Sequence, residues 1–201
     1  MNYAEQEDIK RSIQEREEAK QRELLLKQFE AEAAQAKKRR DLVQAQTAEF
    51  LANKFEGMTH AVSLTFDQTW MQRYLSKVDE HRREALKREK VEASYRAFLR
   101  RLNEACLNTA HKKYGKTIAA VGVIEGLGYG QNAHYHCAMQ KPKYMTDKQF
   151  AKTVYKCWKT VDFAGKQVKV ETIYNAAGWG GYLSKTATDA ANVNVDWNNI
   201  Q

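Results

Sequence analysis

The chain has a single proline, Pro142, and none of its ten glycines falls between Ala4 and Phe55, so its first stretch contains no helix breaker. Cysteine is sparse too. Cys106, Cys137 and Cys157 are odd in number and widely spaced, with no CxxC pair. This excludes a disulfide scaffold and supplies no zinc-site spacing, and reduced, mostly buried thiols are expected. No apolar run approaches the length needed to span a bilayer, and the first thirty residues are charged throughout. A transmembrane segment and a secretory signal are therefore not expected, and the expected compartment is the cytoplasm, with no membrane partner.

The 201 residues, 43% of them hydrophobic, suffice for one core with an appendage. The net charge is +8, and its distribution is uneven. Residues 1–56 carry 11 Lys+Arg against 12 Asp+Glu, which leaves 22 against 13, net +9, for residues 57–201. A positive field on that segment favours a polyanion, because each phosphate neutralised releases counterions. Nucleic acid suits such a field better than a small acid, although many basic proteins bind no polymer.

From Ala4 to about Phe55 the residues are overwhelmingly Ala, Glu, Gln, Lys, Arg and Leu, which predicts one long helix or two. Apolar residues cluster at Leu24, Leu25, Leu26 and Phe29 and again from Leu42 to Phe55, without a sustained heptad. Two readings fit this extension of residues 1–56. It is either a solvated, salt-bridged helix with a short docking stripe, or a self-association segment that pairs two subunits. Gly57 ends the helix, and residues 57–201 form the second expected domain. Ala61 to Phe66 alternates as a half-buried strand. A helical region follows to about His111, with a break expected near the charged stretch His81–Lys90. Ile118 to Ile124 reads as a central strand ending at Glu125, and Asn132 to Met139 as the next, joined by a turn containing Gly126, Gly128 and Gly130. Thr146 to Gln149 is a capping box for a helix reaching about Thr160. Val168 to Tyr174 reads as a fourth strand and Ala177 to about Ala187 as a short last helix. The expected class is α+β: an antiparallel ferredoxin-like split βαβ sheet with flanking helices, preceded by the long N-terminal helix.

The most informative residues are His134-Tyr135-His136. Successive side chains of a strand alternate, so the two imidazoles share one face while Tyr135 and Cys137 take the other. An antiparallel hairpin brings Glu125 beside them, giving three ligands with open positions. Mixed nitrogen and oxygen ligation suits Mn²⁺ or Mg²⁺, with phosphate oxygens completing the shell. Downstream, Tyr182 and Lys185 are three apart and share a helical face. A phenol is a poor nucleophile at neutral pH, and nearby positive charge is what activates it. Tyr174 is the competing nucleophile, although its place in an apolar strand points to packing.

His134-Tyr135-His136 with Glu125 before it, the strand Ser63-Leu64-Thr65-Phe66 and Tyr182-x-x-Lys185 resemble the three ordered motifs of the HUH endonuclease superfamily. The likeness is to rolling-circle replication initiators of plasmids and single-stranded DNA phages or viruses. It covers roughly residues 57–190 and says nothing of the first 56. Relaxases place the tyrosine ahead of the histidines, whereas here it follows them. Two-tyrosine initiators space their tyrosines four apart, and Gly178 and Thr186 stand at those positions, so one tyrosine is present.

The resemblance implies a site-specific DNA nickase and strand transferase, with Tyr182 as nucleophile, Lys185 assisting at the phosphate, and Glu125, His134 and His136 holding the metal. The reaction leaves a 5′-phosphotyrosine and a free 3′-OH that primes replication, and the strand is later rejoined. Single-stranded or hairpin origin DNA is the expected partner, with a host helicase and polymerase, and a homodimer through the N-terminal helix would supply a second Tyr182. Arg73, Arg96, Arg100, Lys112, Lys113 and Lys116 are expected phosphate contacts, and Tyr129 and Trp179 base-stacking contacts. A single-tyrosine transposase and a non-catalytic DNA-binding regulator on the same fold are the alternatives.

Overall fold

In a computed structural model of the chain, described for residues 3–128, 130–185 and 194–201, the first element is one helix, α1 (Tyr3–Phe55). It follows directly from the run of strong helix formers, and i,i+4 pairs such as Glu23–Lys27, at 2.7 Å, support its solvated face. The chain divides into two compact units, Met1–Val43 and Gln44–Gln201. The second unit therefore starts ahead of the boundary at residue 56 expected from composition. The reason is packing: Leu51 and Phe55 at the end of α1 are fully buried in that unit's core.

In the second unit β1 (His60–Phe66) is followed by α2 (Gln68–Leu75), α3 (Glu80–Leu107) and α4 (Thr109–Tyr114). The hairpin strands β2 (Ala120–Glu125) and β3 (His134–Met139) come next, then α5 (Asp147–Trp158), β4 (Ala164–Thr172) and α6 (Ala176–Ser184). The protein is thus α+β, with one four-stranded antiparallel sheet in the order β2-β3-β1-β4. The expected succession of strand, helix, strand, strand, helix, strand and final helix is present. The break in the second helical region lies just ahead of His81–Lys90, close to the charged stretch as expected. It falls between α2 and α3, where Ser76 Oγ donates to the Arg73 carbonyl, and His81–Lys90 is helical throughout. The fourth strand begins earlier than expected, at Ala164, since an exposed edge strand carrying Lys166, Gln167, Lys169 and Glu171 shows little hydrophobic alternation. Thr146 caps α5 reciprocally with Gln149, as the sequence predicts. Residues 186 and 187, expected at the end of the last helix, lie outside the described residues.

Each face of the sheet has its own core. On one face Val62, Leu64, Ile124, Tyr135, Cys137 and Met139 meet Tyr95, Phe98 and Leu102 of α3 and Phe150 and Trp158 of α5. On the other Val121, Val123 and Ala138 meet Leu51 and Phe55 of α1, Leu183 of α6 and Val195. All three cysteines are free and buried. Among the described residues no helix is long and apolar enough to cross a membrane.

The C-terminal residues 194–201 run along β2 and cover an otherwise open sheet edge. Ile124 donates to the Asn194 carbonyl, Asp196 to the Gly122 carbonyl, and Ala120 and Gln201 exchange a pair of backbone bonds. This segment is also pinned from inside. The buried Tyr135 hydroxyl donates to Asp196 Oδ2 at 2.7 Å while its ring stacks on Tyr95, centroids 4.1 Å apart. Burial and the neighbouring Asp196 push the Tyr135 phenol far above its ordinary range, so it is a donor and never a phenolate here. Tyr135→Phe keeps the stack but removes the donor from a buried carboxylate. The expected loss, measured by urea unfolding, is roughly 1–3 kcal/mol.

Candidate active site

The register of the hairpin sets the site. Glu125 pairs with His134, and Val123 with His136, across β2 and β3; Ser63 of β1 pairs with His136 on the other side. Paired residues of antiparallel strands point to the same face, so the carboxylate, both imidazoles and Ser63 are gathered on the face that α6 shares. Tyr135 and Cys137 between and beyond the histidines are fully buried on the opposite face, as alternation requires.

His134 Nε2 lies 3.1 Å and His136 Nε2 3.6 Å from Glu125 Oε2, and one ligand atom from each of the three residues lies within 4.8 Å of the others. The outer nitrogens are already engaged. His134 Nδ1 is 3.0 Å from the Asn132 carbonyl, and His136 Nδ1 is 3.0 Å from Ser63 Oγ. With Nδ1 engaged outward, Nε2, which here faces Glu125, is the nitrogen that would give up its proton to bind a metal. Glu125 Oε1 is buried, and the cation nearest to it is the Lys185 ammonium, at 3.5 Å. Hydrogen bonds from His134 and then His136 hold the Glu125 carboxyl far below the usual carboxylate range, and the same carboxylate raises the His134 pKa. Glu125, His134 and His136 thus form a cluster able to hold a metal ion.

Tyr182 and Lys185 stand beside this cluster. The Tyr182 ring centroid is 6.0 Å from that of His136, and the residue is 46% exposed. Lys185 Nζ is 3.8 Å from the Tyr182 ring centroid and 3.5 Å from Glu125 Oε1. Interaction with Tyr182 first, and with Glu125 second, raises the Lys185 pKa and keeps it charged. Trp179 stacks on Tyr182, with centroids 5.4 Å apart at 12°, and also contacts His136, so one ring face is occupied.

The support for α6 comes from the end of α1. Gln44 Nε2 donates to the Lys185 carbonyl at 3.0 Å. At Gly180 a Cβ would meet the Ala52 nitrogen at 3.0 Å and the Ala48 carbonyl at 3.1 Å, so glycine is what lets the two helices approach. Asn175 caps the first turn by accepting from the Gly178 N–H.

Some expected contacts lie elsewhere. Lys112, Lys113 and Lys116 precede the first residue of β2, whereas Glu125 closes that strand, so they sit toward the far end of the hairpin. Arg96 and Arg100 are on α3, which packs against the opposite face, and Arg96 Nε is spent on Asn199 Oδ1. Arg73 is exposed in the last turn of α2. Tyr129 lies outside the described residues. Tyr174 is not packed in a strand: it follows β4 and is 94% exposed.

Two supporting residues escaped the sequence reading. Ser63 could have been found, since alternation of β1 puts it on the polar face. Lys87 could not, being one cation in a charged run. It is buried, and its ammonium donates to the carbonyls of Gly126, Gly128 and Gln131 at 2.8, 3.2 and 2.8 Å, fixing the turn between Glu125 and His134. Burial lowers its pKa. In the same turn Gly126 has φ +75, and a Cβ there would run into the Asn132 carbonyl that orients His134.

Addition of Mn²⁺ is expected to stabilise the protein, by about 2.7 kcal/mol at a hundredfold excess over Kd, as read by thermal unfolding. Glu125→Gln should abolish that increment; an unchanged increment would remove the cluster from metal binding. Compared with protein families, with curated proteins and with solved structures, the chain shows no significant match to any.

Proposed function

We propose that this protein is a metal-assisted, site-specific single-strand DNA nickase and strand transferase of the HUH kind, acting to initiate rolling-circle replication. The observation that carries the reading is the placement of Tyr182: a half-exposed side chain, 6.0 Å ring to ring from His136, with the Lys185 ammonium against its ring. The strand order β2-β3-β1-β4 is compatible with the split βαβ arrangement expected for such a domain. The net +9 of residues 57–201 suits a polyanionic substrate.

Glu125, His134 and His136 would hold Mn²⁺ or Mg²⁺, which supplies Lewis-acid polarisation of a non-bridging phosphate oxygen. The chain's own residues do the rest. Lys185 favours the phenolate and stabilises charge on the phosphoryl group. The Tyr182 oxygen bonds to phosphorus as the bond from phosphorus to the 3′ oxygen breaks. The phenol proton passes to solvent, and the departing oxygen takes one up to become the 3′-OH. The DNA 5′ end remains as a phosphotyrosine ester, and attack by a 3′-OH on that ester rejoins the strand. No water is consumed, so the bond energy is kept in the ester.

A route for the strand is offered by the sheet itself. Lys169 of β4 pairs with Ser63, which pairs with His136, so all three side chains share one row across the open part of the face. Two strand spacings place Lys169 about 10 Å from His136, the distance of a neighbouring phosphate or two. It takes the role that the lysines before β2 were expected to fill.

Incubation with a single-stranded oligonucleotide library and Mn²⁺ should give a covalent protein–DNA adduct that is lost in Tyr182→Phe while DNA binding persists. An adduct that survives Tyr182→Phe would overturn the assignment. Lys169→Ala is expected to weaken single-strand affinity several-fold at low salt and to reduce its salt dependence, with Mn²⁺ stabilisation intact; equal affinity in both proteins would remove Lys169 from the strand's path.

A further inference from the structure

Helix α1 in the unit Met1–Val43 carries exposed apolar side chains. Leu24, Leu25, Leu26 and Phe29 are 60%, 52%, 60% and 65% exposed, four large side chains within six residues of a charged helix. Scattered exposed leucines need no explanation, but a patch of this density on one helix does. Leu26, Phe29, Ala33, Ala36 and Arg40 follow one another at alternating spacings of three and four, the seam of a helix pair. Going the other way from Leu26, the same seam passes through Arg22, Ala19 and Glu15.

Charge along α1 is ordered about this patch. Glu15-Arg16-Glu17-Glu18 lies on its N-terminal side and Lys37-Lys38-Arg39-Arg40 on its C-terminal side, at nearly equal distances. We infer that a second copy of this chain packs along α1 in antiparallel orientation, centred on Leu26 and Phe29. In that register Leu26 meets Phe29 of the second copy, Ala36 meets Ala19, and Arg40 on the seam meets Glu15. The basic quartet of each copy then lies along the acidic segment of the other. Parallel pairing sets Arg40 against its own twin and four cations against four cations, which like-charge repulsion opposes. Alanine at positions 19 and 36 allows the helices to approach closely on either side of the larger central residues.

This pairing does not depend on the chemistry at Glu125, His134, His136 and Tyr182, and its test leaves that site untouched. Sedimentation equilibrium of the full chain at tens of micromolar should give twice the protomer mass of 23.2 kDa. Leu26→Asp with Phe29→Asp should give a monomer with an unchanged Mn²⁺ response, which shows that the second unit remains folded. A monomeric parent protein, or a dimer that survives those two changes, overturns the inference. Orientation is read by charge reversal. Glu15→Lys, Glu17→Lys and Glu18→Lys together should dissociate the dimer, and adding Lys37→Glu, Lys38→Glu and Arg40→Glu to the same chain should restore it. Restoration requires the two segments to face each other, so its failure overturns the antiparallel arrangement.

Discussion

The pairing of Glu125 with His134 across β2 and β3 is the constraint from which the rest of the site follows. A shift of that register by one residue would turn both imidazoles into the aromatic core and bring Tyr135 and Cys137 out. Several independent features hold it. Tyr135 is anchored by its stack on Tyr95 and its bond to Asp196; Lys87 gathers three carbonyls of the turn; Gly126 makes room for the Asn132 carbonyl. None of these groups touches the space where a ligand would sit. They act by making one alignment of two short strands much better than its neighbours.

The two faces of the sheet divide the work. The face under α3 and α5 is a closed apolar layer, and among the described residues α6 and the end of α1 pack on the other face against Val121 and Val123 of β2 and Ala138 of β3. Ser63, Thr65, Lys169 and Glu171 therefore remain accessible to different degrees on β1 and β4. An elongated ligand can lie there and still reach the three-residue cluster. The final segment, 194–201, serves the closed side, joining Asp196 to Tyr135 and Asn199 and Gln201 to α3.

Much of this was legible in the chain. Alternation in His134–Met139 separates ligands from anchors, the Thr146–Gln149 box marks the start of α5, and the short link between two strands implies the hairpin. What was hidden has physical reasons. Lys87 lies in a run whose other charges are solvated, and only tertiary contact shows that one of them turns inward. Asn194 to Gln201 is too polar to read as an edge-covering strand, since its bonds are made by backbone. Net charge says that cations exceed anions over residues 57–201, but not which face they occupy, and Arg96 and Arg100 lie on α3, against the face opposite the three-residue cluster. Leu51 and Phe55 continue an unbroken helical composition, so nothing local separates the docked turns of α1 from the solvated ones.

That last point bears on how the domain can be excised. The helix carrying Tyr182 rests through Gly180 on Ala48 and Ala52, and its last carbonyl is held by Gln44. A fragment begun at Gly57, where composition changes, keeps every strand and all three candidate ligands, yet strips the phenol of the ledge beneath it. A self-sufficient minimal version of this protein has to begin upstream of Gln44. Recombination that shuffled the two parts of the gene product at the compositional seam would leave the three-residue cluster without the support of the helix that sets Tyr182 beside it.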